Sequence, residues 1–240
     1  YSYDMIDGRA ICKTPSWQHL FGTDDLGRDI FSRCLYGGVY SLTIGVVATV
    51  ISSVLGMLLG AISGFFGGHV DNVMLRICDV IQAIPNMLLS IVIAAVLGNG
   101  FWNLILALAF GGLAHNVRMV RAATLTISKV DYVEAATALN CSRLRIILTH
   151  IIPNTLTPVI VGFTMGVPQH ILAAAGLAYI GLGIQPPTPE WGAMLSAAKT
   201  YITKAPHMLI FPGLMIALTV LCFNLLGDGV RDALDPKLKN

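Results

Sequence analysis

The stretch DYVEAATALNCSRLRIILTHIIPN, residues 131–154, decides how the rest of the chain is read. It is polar, charged and strongly helix-forming, yet it lies between two apolar runs. Asp131 and Glu134 have capping-box spacing, with Asp in place of the usual Ser or Thr, and two acidic residues at this end suit the helix dipole. YVEAATAL is rich in Ala and Leu, which favour helix. Asn140 follows; after Gly it is the residue that best tolerates the left-handed conformation ending a helix. Ser142 can then cap a second helix running toward Pro153. The spacing predicts a rod of about eight residues, roughly 12 Å long, a sharp turn, and a helix leading into the next apolar run. So short a helix is marginal in water by itself, and something must hold it. Tyr132, Val133, Ala136 and Leu139 offer a small apolar face to a partner. The alternative is a helix resting on lipid, but such helices carry Lys or Arg on their polar face, and none occurs between Lys129 and Arg143.

The flanking sequence explains why a rod would be needed. The 240 residues are 55% hydrophobic and only 12% charged, against about 25% charged in soluble domains. Too few charges exist to coat a globule. Five runs are candidates to cross a bilayer, which takes about 20 apolar residues: 38–66, 77–97 with Pro85 inside it, 101–117, which is short and stops at Arg118 and Arg121, a run within 151–184 broken by Pro153, Pro158 and Pro168, and 206–227. The predicted architecture is therefore an all-α polytopic membrane bundle. Residues 1–37 form an extracytoplasmic segment, 38–228 the transmembrane domain with the rod at 131–140, and 229–240 a C-terminal tail. The chain opens on Tyr1 and reads as part of a longer product.

Orientation follows from the bias of Lys and Arg toward the cytoplasmic side. With 131–154 inside, nine basic residues (Arg76, Arg118, Arg121, Lys129, Arg143, Arg145, Arg231, Lys237 and Lys239) lie inside, against six outside. The start of the chain is then outside and the C-terminus cytoplasmic. Gly56, Gly60 and Gly64 repeat every four residues, a stripe that lets another helix approach closely. Polar residues at membrane depth are costly and turn inward or toward a cavity; Gln169, His170 and Asn224 are the candidates to line a pathway, with interhelical hydrogen bonding as the alternative.

In the outer segment, Asp24, Asp25 and Asp29 lack the alternation of an EF-hand loop. Asp29 and Arg33 are placed as an i,i+4 pair, and Leu26, Ile30 and Cys34 form an apolar edge, so a short interfacial helix is expected to enter the first span. Asp79 is expected to pair with Arg76. The five cysteines show no CxxC and no metal-ligand grouping. There is no GxxxxGK[ST], HExxH or GxSxG, and no basic patch interleaved with aromatics for nucleic acid.

The stretch EAATALN…HIIPN resembles the EAA motif of ATP-binding-cassette importer permeases. Glu134, Ala135, Ala136 and Pro153 stand at matching spacing, while Asn140 replaces the motif's Gly and supports the same turn. FGTDDLGRDIFSRCLYG (21–37), GFFGGHVDNVMLRICDV (64–80), GLGIQPPTPEWGAML (181–195) and FNLLGDGVRDALDPKL (223–238) narrow the likeness to the C-type permease of dipeptide, oligopeptide and nickel importers. The resemblance implies a type I importer permease, with five spans here and six in the full subunit, in the bacterial cytoplasmic (inner) membrane. It implies a second homologous permease, two ATPase subunits that carry the ATP and Mg, and an extracytoplasmic solute-binding protein. This chain would bind no cofactor and catalyse nothing by itself. Tyr132, Glu134, Ala135, Ala136, Leu139 and Asn140 would contact an ATPase, Glu134 serving as cap, as contact, or both. Pro186, Pro187, Glu190 and Trp191 would face the binding protein, a stiff connector being the other reading. The cargo would be di- or oligopeptides or nickel chelates. A secondary transporter or channel subunit is the alternative, although no internal repeat of the kind common there is evident.

Overall fold

The computed structural model describes residues 1–234; 235–240, with Lys237 and Lys239 of the expected tail, lie outside the described residues. The described residues form helices α1 (Ile30–Phe66), α2 (Gly68–Gln82), α3 (Asn86–Leu97), α4 (Phe101–Ile127), α5 (Asp131–Ala138), α6 (Arg143–Ile146), α7 (Ile152–Tyr179), α8 (Trp191–Ala198) and α9 (His207–Leu234). Among them the only β pairing is one isolated bridge, Thr23 to Asp29.

α1 is 37 residues long, and the expected interfacial helix is absorbed into it. Asp29 explains the sharp start. Its carboxylate accepts from the Ser32 amide and hydroxyl, each at 2.8 Å, as a helix cap does. Committed there, it does not pair with Arg33. It meets His19 at 2.9 Å instead, and Arg33 turns to Asp24 at 3.5 Å. Burial works against charge on Asp29, but the Ser32 amide, His19 and the Ser32 hydroxyl prevail and hold it below the usual carboxylate range. Such a group supports the fold above its unfolded value and loses that contribution as pH falls through the depressed one.

The second expected span is two helices. α2 and α3 meet at 84°, because Pro85 has no N–H and disfavours helix in the residue before it. α2 begins beside the end of α1, where the Ser63 hydroxyl donates to Asp71 at 2.7 Å. α4 begins beside the start of α1, with the Phe101 and Tyr40 rings 6.3 Å apart. Taken together as one broken span, the bent pair is long and apolar enough to cross a membrane, and with α1, α4, the run Arg143–Tyr179 and α9 it brings the candidate crossings to five.

The third span does not stop at Arg118 as its charge suggested; α4 runs on to Ile127. Its two arginines are neutralised from α2. Arg121 binds both oxygens of Asp71, and Arg118 donates to Asp79, which Arg76 also approaches at 3.9 Å. Nor do the prolines break the fourth span. A π-helical turn, Ile147–Ile151, precedes Pro153, and α7 continues through Pro158 and Pro168. A widened turn gives the Pro153 ring room, and the Asn154 amide caps the His150 carbonyl at 2.6 Å.

The residues fall into two compact units. One comprises 1–48, 91–108 and 167–224; it is tied by α8 and by stacking of Phe21 on Phe211 at 3.9 Å. The other comprises 49–90, 109–166 and the described residues from Leu225. In it Gly56, Gly60 and Gly64 press on α4: a Cβ on each would lie 2.4 Å from Asn116 Cβ, 2.5 Å from the Val117 carbonyl oxygen and 2.8 Å from Thr124 Cβ. The small-residue stripe is the α1–α4 contact.

Candidate functional site

The rod predicted at the centre of the sequence is present as α5, eight residues long. Its start differs from expectation. Asp131 is the first helical residue and Val130 the cap, without a side-chain bond; the Val133 and Glu134 amides both reach the Val130 carbonyl. No capping box forms, so Glu134 is left free of that role. Its end is as the sequence suggested. Asn140 takes φ 58°, its amide donates to Thr137 O at 3.0 Å, and the Cys141 amide reaches Ala136 O at 3.1 Å. This is the complete two-bond Schellman closure. Ser142 then caps α6, accepting from the Arg145 amide. Asn140→Gly is expected to keep this turn, whereas Asn140→Val places a β-branched residue at positive φ, at a cost of about 1–3 kcal/mol. Faster proteolytic nicking between 139 and 142 in the valine variant alone would register it.

What holds α5 is its own chain. Val133 and Ala136, 2% and 8% exposed, sink into a cluster with Ala61, Val120, Ile146, Ile147 and Ile151. The face expected to serve a partner is thus divided. Ala136 turns inward, while Tyr132 and Leu139 remain outside, Leu139 at 80% exposure. Glu134, Ala135 and Asn140 are exposed beside them. Glu134 also borders a recess of about 640 Å³ with Phe65, Phe66, Ser128, Thr137 and Arg143. The Arg143 guanidinium lies over the Phe66 ring at 5.5 Å. Sequence reasoning missed Phe66 and Arg143, since nothing local links the end of α1 to α5. The arrangement offers a firmly seated rod with an apolar rim and an exposed carboxylate, a shape suited to docking rather than to bond chemistry.

The outer loop corrects two expectations. Glu190 and Trp191 do not face outward; they are 1% and 2% exposed. Glu190 caps α8 through the Ala193 amide at 2.8 Å and accepts from the Ser41 hydroxyl at 3.0 Å. The Trp191 indole donates to the Cys34 carbonyl at 2.8 Å. Gly37 and Gly38 leave room for that ring: a Cβ on Gly38 would come within 3.0 Å of it. The resemblance implied a Trp191 turned toward the binding protein, whereas the indole is a bolt between α8 and α1. Pro186 and Pro187 do remain exposed.

Of the candidate pathway residues, Gln169 on α7 and Asn224 on α9 are exposed, and His170 is half-buried. Asn116, another polar residue at membrane depth, donates to the Ser52 hydroxyl at 2.7 Å, an interhelical bond. Among the described residues no group of three or more His, Cys, Asp or Glu is placed to hold a metal.

Residues 56–240 match the family model described as binding-protein-dependent transport system inner membrane component. The chain is 50% identical over 239 residues to the glutathione transport system permease protein GsiD of Escherichia coli O6:K15:H31 (strain 536 / UPEC), and likewise to GsiD of Shigella boydii serotype 4 (strain Sb227). In each case all of this chain and 77% of the relative are covered. In structure it is similar to the inward-facing MetNI methionine ABC transporter, with a TM-score of 0.69 at 17% identity over 85% of this chain and 96% of that one. An amino acid ABC transporter solved with histidines gives a TM-score of 0.63 at 17% identity, covering 85% and 95%.

Proposed function

The chain belongs to the family of binding-protein-dependent transport system inner membrane components, and from that premise we propose that it forms half of a peptide-translocating pathway driven by ATPases at α5. It is a permease subunit of an ATP-binding-cassette importer. In the proposed assembly it pairs with a second, homologous permease, with two ATPases on the cytoplasmic side and a solute-binding protein outside, in a bacterial inner membrane with the C-terminus inside. The positive-inside count supports this orientation.

One observation carries the coupling role. α5 is fastened to its own bundle through Val133 and Ala136 while Tyr132, Glu134, Ala135, Leu139 and Asn140 stay uncovered. A helix fixed on one side and bare on the other transmits a push on the bare side to α1, α4 and α7, whose side chains form its seat. Gln169 and Asn224 are bare polar groups on long apolar helices, which supports their facing the pathway rather than lipid. Half of the sequence is shared with GsiD, whose cargo by its name is glutathione. That kinship favours a small peptide as cargo over a nickel chelate.

Glu134→Lys combined with Leu139→Asp is expected to abolish co-purification of the ATPases and the ATP hydrolysis that accompanies transport, leaving the permease itself folded. Ala136→Leu would act differently, by unseating the rod. An intact complex with wild-type coupled hydrolysis in the double variant would sink the assignment of α5.

A further inference from the structure

α2 turns two unlike faces to its surroundings. Asp71 and Cys78, close to two turns apart, are buried. Asp71 is held by Arg121 and Ser63, and Cys78 packs on Ala114 and Val117, so this side of the helix is fixed to α1 and α4. On the opposite side His69, Val73, Arg76 and Val80 stand at i, i+4, i+7 and i+11, the spacing of one helix face. All four are exposed. With Asn72 and Ile77 they border a shallow recess of about 450 Å³. The fixed side holds the bare side in one orientation.

Three observations say what covers that face. The first is a poorly matched charge. The Arg76 side chain is 86% exposed, although Val73, Ile77 and Val80 are its neighbours on the face. It approaches Asp79 only at 3.9 Å, and the other oxygen of Asp79 is taken by Arg118. A cation on an apolar membrane face is costly until an anion meets it. The second is the order of polarity. His69, Asn72 and Arg76 lie toward the Gly68 end, where the chain has just left α1, while Val80 and Ile84 lead into the bend and the apolar α3. Polar, cationic groups followed by bare apolar ones complement an anionic amphiphile. The third is side-chain size. Membrane helices approach one another at small residues, and this face has none from His69 to Val80; Val73, Ile77 and Val80 are β-branched. A flexible acyl chain fits such a surface better than another helix does.

We propose that this face of α2 binds an anionic phospholipid, the Arg76 guanidinium and a His69 ring N–H donating to the headgroup phosphate and an acyl chain lying along Val73, Ile77 and Val80. A zwitterionic lipid brings its own cation to that phosphate and is held less well. The site requires that α1 and the α2–α3 pair cross a bilayer, in either orientation, and does not depend on the coupling role of α5. The test uses the whole transporter in nanodiscs of mixed phosphatidylcholine and phosphatidylglycerol, re-extracted in detergent, with the lipids that stay bound counted by mass spectrometry. The wild type is expected to retain phosphatidylglycerol in excess of its share of the nanodisc. Arg76→Gln is expected to cut that enrichment roughly fivefold, Arg76→Lys to keep most of it and His69→Gln to reduce it less, with melting temperature and subunit composition unchanged. Equal retention of the two lipids by the wild type overturns the proposal, and so does undiminished enrichment in Arg76→Gln. A photo-crosslinking residue in place of Val73 gives a second readout. An adduct with phosphatidylglycerol is expected; an adduct with another subunit or with the cargo would assign the face to a subunit contact or to the pathway and overturn the lipid site.

Discussion

A leucine at position 60 is expected to leave little folded subunit in the membrane. Gly60 faces α4 so closely that a Cβ would lie 2.5 Å from the Val117 carbonyl oxygen and 3.0 Å from the Arg121 amide nitrogen. Both are backbone atoms of a helix, which cannot swing aside as a side-chain tip can. The cost should therefore exceed the roughly 1–3 kcal/mol usual for overpacking, because α1 and α4 must separate along their shared seam. Without water to drive helices together, close van der Waals contact at small residues is a principal source of their association. The measurement is the yield of monodisperse protein after detergent extraction, compared across Gly60→Ala, Gly60→Leu and Gly8→Ala. Gly8 has open space around it and serves as the indifferent control. The alanine variant should be impaired and the leucine variant lost. A leucine variant with wild-type yield and melting temperature would refute the packing account.

Arg121→Ala carries the second large effect. Arg121 binds both oxygens of Asp71, which also accepts from Ser63, so one carboxylate on α2 joins α1, α2 and α4. Removing the cation leaves a carboxylate whose side chain is only 12% exposed without its partner. Breaking a buried pair from one side costs about 3–5 kcal/mol; since the Arg121 side chain is 24% exposed, the lower end of that range is expected. Arg121→Leu paired with Asp71→Leu should be less harmful than Arg121→Ala alone, because two apolar groups of fitting size can replace an ion pair at small cost. The readout is the melting temperature of the purified subunit. If the double variant melts below the single one, the pair contributes through something other than charge compensation.

The elements legible in the sequence were those governed by local chemistry. Asn140 could be read as a left-handed helix end because so few residues tolerate that conformation, and it adopts φ 58°. Ser142 could be read as a cap because hydroxyls seek free amides, and it is one. The glycine stripe was legible because three glycines on one helix face have few other uses. Where the structure departs, a distant partner intervenes. Asp29 was expected to reach Arg33, but the start of α1 needed its carboxylate. Arg118 and Arg121 looked like a membrane boundary, but Asp79 and Asp71 on α2 let the helix continue. The resemblance turned Trp191 toward a binding protein, but Cys34, more than 150 positions earlier in the chain, offered the indole an acceptor.

The sequence by itself determined that this is a helical membrane subunit with five crossings, and that a short rod is set between two of them. Those conclusions need only hydropathy, length and the conformational preferences of single residues, which are fixed before the chain folds. Only the tertiary structure decided which side of the rod is spent on the protein's own core. Val133 and Ala136 are covered by side chains from α1, α4, α6 and the π turn, and Tyr132, Glu134 and Leu139 are what remains. Burial belongs to a residue and its neighbours jointly, so it becomes defined when the helices meet.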